Sequence, residues 1–215
     1  LVGSFLNVVI LRLPRRMEWE WKRDSRDMLG ISEPYEPAPP GIVVERSACP
    51  KCGHALSAWE NIPLLSFVAL GGKCRNCRTG ISWQYPAVEL ITGLMFATCI
   101  WRFGATPAGG LGLVFSAMLV ALSGIDLRTQ YLYDQLTLPL LWIGLLASLI
   151  TLYIDPVSSI LGAALGYLSL WLVYKGFKLI TGKEGLGYGD FKLLAALGAW
   201  CGIKALLPII LLSSL

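Results

Sequence analysis

Apolar residues occur in long blocks along this chain, and polar residues are concentrated between them. The near-continuous apolar segments cover roughly residues 86–101, 109–125, 136–154, 157–180, 191–202 and 205–215. A helix that crosses a bilayer needs ~20 such residues, and 55% of the chain is hydrophobic, with a mean hydropathy of +0.61. The pattern predicts an all-α polytopic membrane protein with about six to seven spans.

Both ends of the chain lie within apolar runs. The first eleven residues, Leu1–Leu11, are too few to cross a bilayer, so we expect residues 1–11 to be the end of a truncated first span. The last run, Ala205–Leu215, is incomplete in the same way. A signal peptide fits the N-terminus less well, because its basic residues follow the apolar stretch instead of preceding it.

Residues 12–85 form a polar insertion, and residues 86–215 form the predicted membrane core. The insertion holds 11 of the 18 Lys and Arg residues: Arg12, Arg15, Arg16, Lys22, Arg23, Arg26, Arg46, Lys51, Lys73, Arg75 and Arg78. Its proline-rich middle, residues 33–41, predicts an extended linker. The positive-inside rule places this insertion in the cytoplasm, and alternation of the spans then places loops 126–135 and 181–190 there as well.

Four cysteines form two close pairs within the insertion. Cys49 and Cys52 make the first C-x2-C pair, and Cys74 and Cys77 make the second after 21 intervening residues. This spacing is typical of a zinc ribbon, in which four thiolates complete a tetrahedral structural site. A redox motif would need one pair inside a βαβ unit, and disulfides are disfavoured in the cytoplasm.

The remaining candidate metal and thiol residues have simpler interpretations. His54 is the only histidine and directly follows the first pair. It could replace a ligand or act as a base, but a position beside the metal is the favoured interpretation. Cys99 and Cys201 lie in apolar spans, where an isolated cysteine is typically a small packing residue.

Asp126 and Asp190 are the candidate catalytic residues, because each lies where an apolar segment meets a polar loop. Carboxylates at a membrane edge are costly and usually functional. An even number of predicted spans separates these two, so both fall on the cytoplasmic side. If they meet, one keeps its proton while the other can activate a water, as in an aspartyl peptidase. The glycines at 185, 187 and 189 would let a substrate strand approach the backbone.

Structural alternatives remain open for each acid. Asp190 could cap the helix that follows it, and Asp126 could pair with Arg128. Asp134 lies on the same loop as Asp126 and directly precedes a predicted span, so we expect it to cap that helix. The glycine string lacks the Gly-Lys-Ser/Thr ending of a phosphate loop.

The ordered set of motifs resembles the prepilin peptidases, the type IV leader peptidases of bacterial inner membranes. The motifs, in chain order, are Gly3–Val9 with Arg12-Leu13-Pro14, the two cysteine pairs, Trp59–Pro63, Tyr85-Pro86 with Glu89, the Asp126 loop, and Gly187–Asp190. The last element, Gly-x-Gly-Asp, is shared with a wider group of intramembrane aspartyl proteases. Two departures are Tyr133-Asp134, where the family commonly has Pro-Asp, and Leu11, where it often has His.

The resemblance implies a bifunctional membrane enzyme. Such enzymes cleave the leader of prepilins and pseudopilins on the cytoplasmic side and N-methylate the new terminus with S-adenosylmethionine. Their two catalytic aspartates fall on Asp126 and Asp190, and the cysteine-bearing insertion is associated with methyl transfer. We expect prepilin substrates and a lipid bilayer as partners, and no nucleic acid. A non-enzymatic membrane scaffold with a zinc-knuckle partner site is the alternative from a different class.

Overall fold

The computed structural model describes residues 1–31, 36–43, 45, 47–57, 59–60, 64–183 and 185–213. Two of the sequence motifs fall partly outside these ranges, namely residues 33–35 of the proline-rich linker and Asn61–Pro63 of the Trp59–Pro63 motif. The described ranges contain eight helices and no strand beyond two isolated bridges. The helices are α1 Val2–Met28, α2 Leu65–Ala69, α3 Gln84–Phe103, α4 Pro107–Thr129, α5 Asp134–Leu149, α6 Pro156–Thr181, α7 Tyr188–Cys201 and α8 Ile203–Ser213.

The predicted all-α membrane class is confirmed. Helices α3, α4 and α6 are each long and apolar enough to cross a membrane, and α5 and α8 are shorter apolar helices. Each predicted apolar block coincides with one helix, including α7. The helices extend a few residues beyond most of the blocks, because polar residues such as Asp126 and Asp134 belong to terminal helical turns.

Helix α1 is the largest departure from the sequence pattern. It begins in the apolar N-terminal run but continues to Met28, well inside the predicted polar insertion. Its buried residues Leu6, Ile10, Leu13 and Met17 are three or four positions apart, which places them on one helical face. This stripe crosses residue 11 without interruption, so the change in composition there does not end the helix.

Two compact units divide the chain. The first contains residues 1–105 and 109–129, and the second contains residues 106–108 and 130–215. Within the first unit, α1 packs closely on α3, because a Cβ on Gly3 would lie 2.8 Å from the Cα of Glu89. Gly124 of α4 likewise contacts Ile10, whose Cδ1 would lie 2.5 Å from an added Cβ. Small residues therefore let these helices approach closely.

In the second unit, α7 contacts both α5 and α6. Gly162 of α6 and Gly198 of α7 face each other so closely that a Cβ on either would overlap the other's carbonyl oxygen. The indole N–H of Trp200 donates to the Leu140 carbonyl at 2.8 Å, which ties α7 to α5. The Ser159 hydroxyl donates to the Ala199 carbonyl at 2.7 Å, which ties α6 to α7. These contacts fix the helix whose first turn carries Asp190.

Candidate metal centre and candidate catalytic aspartates

The four cysteines of the insertion form one compact cluster. The Sγ atoms of Cys49, Cys52, Cys74 and Cys77 all lie within 4.8 Å of one another. Cys49 and Cys77 are 3.8 Å apart, and Cys52 and Cys74 are 3.9 Å apart. A tetrahedral ion with metal–sulfur distances of about 2.3 Å would separate its sulfurs by about 3.8 Å. The donor set and its spacing therefore fit a metal ion held by four thiolates.

The two cysteine pairs lie on turns of the same geometry. In the first, the Cys49 N–H donates to the His54 carbonyl and the Gly53 N–H donates to the Cys49 carbonyl, both at 2.9 Å. In the second, the Cys74 N–H donates to the Thr79 carbonyl at 2.8 Å and the Arg78 N–H to the Cys74 carbonyl at 2.9 Å. An antiparallel bridge closes each turn. The fold thus presents two equivalent knuckles, as the C-x2-C spacing predicts.

The knuckle backbone also favours the thiolate form that binds metal. Hydrogen bonds from Thr79 lower the pKa of the Cys77 thiol to about 6, and the Thr79 hydroxyl contributes more to this than the Thr79 backbone N–H. The backbone N–H groups of Cys52 and Lys51 lower the pKa of Cys49. The backbone N–H groups of Cys77 and Asn76 act in the same direction on Cys74, but burial and the neighbouring thiols raise the pKa of Cys74 overall. A ligand that ionises readily loses less binding energy to proton competition.

His54 lies outside the four-thiol cluster. Its Nε2 is 3.5 Å from Oε2 of Glu60, which is almost fully buried. Ser57 holds the pKa of Glu60 below its usual range, mainly through a hydrogen bond from its hydroxyl and secondly through one from its backbone N–H. His54 is therefore a neighbour of the metal centre that faces an acid, in agreement with the favoured interpretation.

Asp126 lies in the last turn of α4 and is exposed. Ile125 beside it is fully buried, so the helix presents Asp126 away from its packed face. Arg128, two residues later, donates to the Gln84 side-chain oxygen at 2.5 Å. Residues two apart on a helix point in different directions, which explains why Arg128 contacts α3 and the alternative of an Asp126–Arg128 pair is not found.

Asp190 is the third residue of α7, so the alternative that it caps this helix is wrong. The N-cap is Gly187, and the Asp190 N–H donates to the Gly187 carbonyl at 3.3 Å. Asp190 is exposed, while Phe191 next to it is fully buried. A buried aromatic anchor thus fixes the turn that presents the carboxylate.

Two of the glycines before Asp190 serve the protein's own packing. A Cβ on Gly189 would lie 2.8 Å from the Cβ of Leu132, and one on Gly185 would lie 2.7 Å from the Phe177 ring. Gly187 has more room, because the nearest atom to an added Cβ would be Asp190 Oδ2 at 3.5 Å. Of the three glycines expected to let a substrate strand approach the backbone, only Gly187 therefore has open space beside it.

Asp134 does not cap α5, contrary to the sequence-based expectation. The N-cap is Tyr133, and Asp134 is the first helical residue. Its carboxylate accepts from the Lys192 ammonium at 2.7 and 2.8 Å. The local sequence indicates a capping role, whereas the partner of Asp134 is 58 residues away in the chain.

An aromatic cluster beside Asp190 was not found from the sequence. Tyr174 on α6 is almost fully buried and packs on the rings of both Tyr188 and Phe191. Its hydroxyl lies 3.4 Å from the Tyr188 hydroxyl and 3.4 Å from the Lys178 ammonium. Tyr167 and Tyr174 are seven residues apart on α6, and this spacing was the available signal for an aromatic face towards α7.

Comparison with known proteins decides the family. The model for the bacterial peptidase A24 N-terminal domain matches residues 1–103, and the model for the type IV leader peptidase family matches residues 113–215. A prepilin leader peptidase/N-methyltransferase from Xanthomonas campestris pv. campestris is 59% identical over 215 residues, which cover all of this chain and 75% of that protein. The chain belongs to the type IV leader peptidase family.

Further members of the type IV leader peptidase family match over the same extent. Proteins of the same name from Pseudomonas aeruginosa and Neisseria gonorrhoeae are 52% and 47% identical, over all of this chain and 74% and 76% of their own lengths. No solved structure matches the chain. Membership confirms the resemblance inferred from the ordered motifs.

Proposed function

We propose that this protein cleaves the leader peptide from prepilins or pseudopilins and then N-methylates the new terminal residue. The observation that carries the proposal is similarity over the whole chain to proteins named for both activities, at 59% and 52% identity. The same similarity disfavours the alternative of a non-enzymatic scaffold with a partner-binding zinc knuckle. In this proposal the peptidase core is residues 86–215, and residues 12–85 belong to the methyltransferase half.

Asp126 and Asp190 are the proposed catalytic pair. An ionised aspartate accepts a proton from water while the water oxygen attacks the scissile carbonyl carbon. The protonated partner donates to the carbonyl oxygen, which avoids a free oxyanion. When the tetrahedral intermediate collapses, the C–N bond breaks and the leaving nitrogen takes up the proton that the first aspartate accepted from water, while a hydroxyl of the intermediate returns a proton to the second aspartate. Exposure of both carboxylates on anchored helical turns supports this role.

The four-cysteine cluster is proposed to hold a structural Zn²⁺. Four thiolates fill a tetrahedral coordination sphere and leave no position for a reactive water. Cys49, Cys52, Cys74 and Cys77 would then join the two knuckles into one unit, and His54 would remain outside the coordination sphere. S-adenosylmethionine, which the methyltransferase activity implies, would supply the methyl group for transfer to the new terminal amine.

The proposed location is the bacterial inner membrane, with both aspartates on the cytoplasmic side. The support is the distribution of charge: residues 12–85, which include the second half of α1, carry 11 of the 18 Lys and Arg residues. A cytoplasmic position suits substrates whose basic leaders stay on that side. It also suits a thiolate site, because the cytoplasm keeps cysteines reduced.

The function is tested with the purified protein in liposomes and a full-length prepilin. Intact mass spectrometry should detect a shortened product first and then the same product heavier by one methyl group, the latter only when S-adenosylmethionine is added. Shortening without methylation would reduce the proposal to a peptidase. Absence of both reactions in a preparation that retains its metal would contradict it.

A further inference from the structure

The first unit contains a cavity that the peptidase chemistry does not use. Its volume is about 510 Å³, and its walls come from α1, α2, the start of α3 and the two knuckles. Small-molecule sites typically have volumes of about 300–1,000 Å³. The cavity lies entirely between Ser4 and Glu89, within the range that the N-terminal family model matches. It is therefore large enough for a small cofactor.

Asn7 lines this cavity and carries a buried acceptor that has no hydrogen-bond partner. The side chain is only 2% exposed, and its amide group donates to the carbonyls of Gly3 at 3.3 Å and Tyr85 at 3.1 Å. Its oxygen, Oδ1, is buried and has no hydrogen-bond partner. Buried polar atoms are normally paired, so a ligand N–H or O–H group that reaches Asn7 from the cavity would pair this oxygen.

Glu89 adds a carboxylate that the fold holds in place. Its Oε1 accepts from the Ser4 hydroxyl at 2.7 Å, and its Oε2 accepts from the Leu64 backbone N–H at 2.8 Å. Each oxygen has further acceptor capacity. Asn7 and Glu89 therefore make one side of the cavity rich in acceptors and negatively charged.

Cations line another part of the same cavity. Arg12 lies eight residues after Ser4 on α1, about 12 Å along the helix axis. Its guanidinium is positioned by the carbonyls of Gly41 at 2.6 Å and Glu45 at 3.0 Å. Arg15, which also lines the cavity, is exposed. Arginines are suited to binding a ligand carboxylate.

The lining is thus complementary to a ligand with an anionic end, several N–H and O–H donors, and a flat apolar part. Phe67 and Tyr85 supply aromatic surface for that flat part. A nucleoside triphosphate fits poorly, because Glu60 and Glu89 would repel its phosphates. S-adenosylmethionine carries a carboxylate, an amine, ribose hydroxyls, a purine and a cationic sulfur.

We propose that this cavity binds the methyl donor, with Arg12 and Arg15 on its carboxylate and Asn7 and Glu89 on its donor groups. The inference rests on the proposed methyltransferase activity and assigns that activity a site, which includes Asn7 and Glu89 from just outside residues 12–85. The cavity borders the knuckles, since Cys49, Cys74 and Arg75 form part of its wall. Loss of the metal would then disturb donor binding.

The test is equilibrium binding of S-adenosylhomocysteine to the full chain in detergent, measured by titration calorimetry. Asn7→Leu removes the unpaired acceptor, and Glu89→Gln removes the charge with little change in shape. Each should weaken binding by about tenfold or more, as expected for loss of a hydrogen bond to a buried or charged group. Glu18→Gln is the matched control, because Glu18 lies on α1 outside the cavity and pairs with Lys22. Metal content and thermal melting verify that each variant is folded.

Three outcomes would overturn the inference. If both variants bind as tightly as the wild type while the wild type methylates, the site is wrong and the proposed function stands. If the wild type neither binds S-adenosylhomocysteine nor methylates, the proposed methyltransferase activity is wrong as well. If the variants lose binding of a peptide with a mature N-terminus but keep that of S-adenosylhomocysteine, the cavity takes the methyl acceptor instead.

Discussion

The ammonium of Lys192 donates to both carboxylate oxygens of Asp134, at 2.7 and 2.8 Å, and joins the fifth residue of α7 to the first residue of α5. Lys192 follows Asp190 by two residues, so this ion pair contributes modestly to the position of the turn that presents the candidate catalytic acid. Asp134 therefore takes part in an ion pair, a role that differs from the catalytic role proposed for Asp126.

Substitution of Asp134 by Asn should leave leader cleavage largely intact. The pair is partly exposed, and such pairs contribute at most ~1 kcal/mol, so we expect less than about a fivefold reduction in rate. Lys192→Ala should have a similar effect, and adding it to Asp134→Asn should have little further effect. Initial rates of prepilin cleavage measure both. Complete loss of cleavage in Asp134→Asn would make it a third essential acid and contradict this assignment.

The Tyr174 hydroxyl should contribute to cleavage through the position of the Gly-x-Gly-Asp turn. Tyr174→Phe keeps the buried ring but removes the contacts with Tyr188 and Lys178, so we expect a reduction of roughly two- to tenfold, the range for one hydrogen bond. Tyr167→Phe is the matched control on the same helix, because Tyr167 packs its ring edge-on against Phe191. Equal cleavage rates for the two variants would show that the Tyr174 hydroxyl makes no specific contribution to cleavage.

Close backbone contact between α6 and α7 makes Gly162 intolerant of any side chain. Gly162→Ala would place a methyl group on the Gly198 carbonyl, so we expect destabilisation of ~1–3 kcal/mol. Gly176→Ala, on the same helix, has open space around it and should be neutral or stabilising by up to about 1 kcal/mol. Thermal unfolding in detergent distinguishes them. Similar melting temperatures would mean that the helices can separate without loss.

The knuckle turns require a left-handed backbone at Gly53, where φ is 70°. Gly53→Ala meets no neighbouring atom but should cost ~1–2 kcal/mol for this conformation, which weakens metal binding by roughly five- to thirtyfold. Gly80→Ala also has open space around it, but its φ is not positive, so metal affinity should be unchanged. Chelator competition measures both affinities. Equal metal affinities for the two variants would show that the left-handed conformation at residue 53 does not limit metal binding.

Sequence patterns predicted the parts of this protein that depend on composition and local spacing. Apolar runs located the membrane helices, and the C-x2-C spacing located the knuckles, because both signals are contained within a few turns of chain. The extension of α1 to Met28 was missed because composition changes at residue 11 while the buried stripe continues.

Features that depend on distant partners were not predictable in the same way. Asn7 meets Tyr85 across 78 residues, and Lys192 meets Asp134 across 58. Local sequence gave Asp134 a capping role because nothing near it in the chain indicated Lys192. The candidate aspartates were found because a charge at the end of an apolar helix is conspicuous by itself.

The most direct test of the account is leader cleavage by Asp126→Asn and Asp190→Asn in liposomes, scored against Asp155→Asn. Asp155 caps α6 through the Ser158 N–H at 2.9 Å, and Asn caps equally well, so this control makes the same chemical change at a structural acid. We predict that each of the first two variants abolishes cleavage while Asp155→Asn cleaves at the wild-type rate. Normal cleavage by either Asp126→Asn or Asp190→Asn would contradict the proposed catalytic pair.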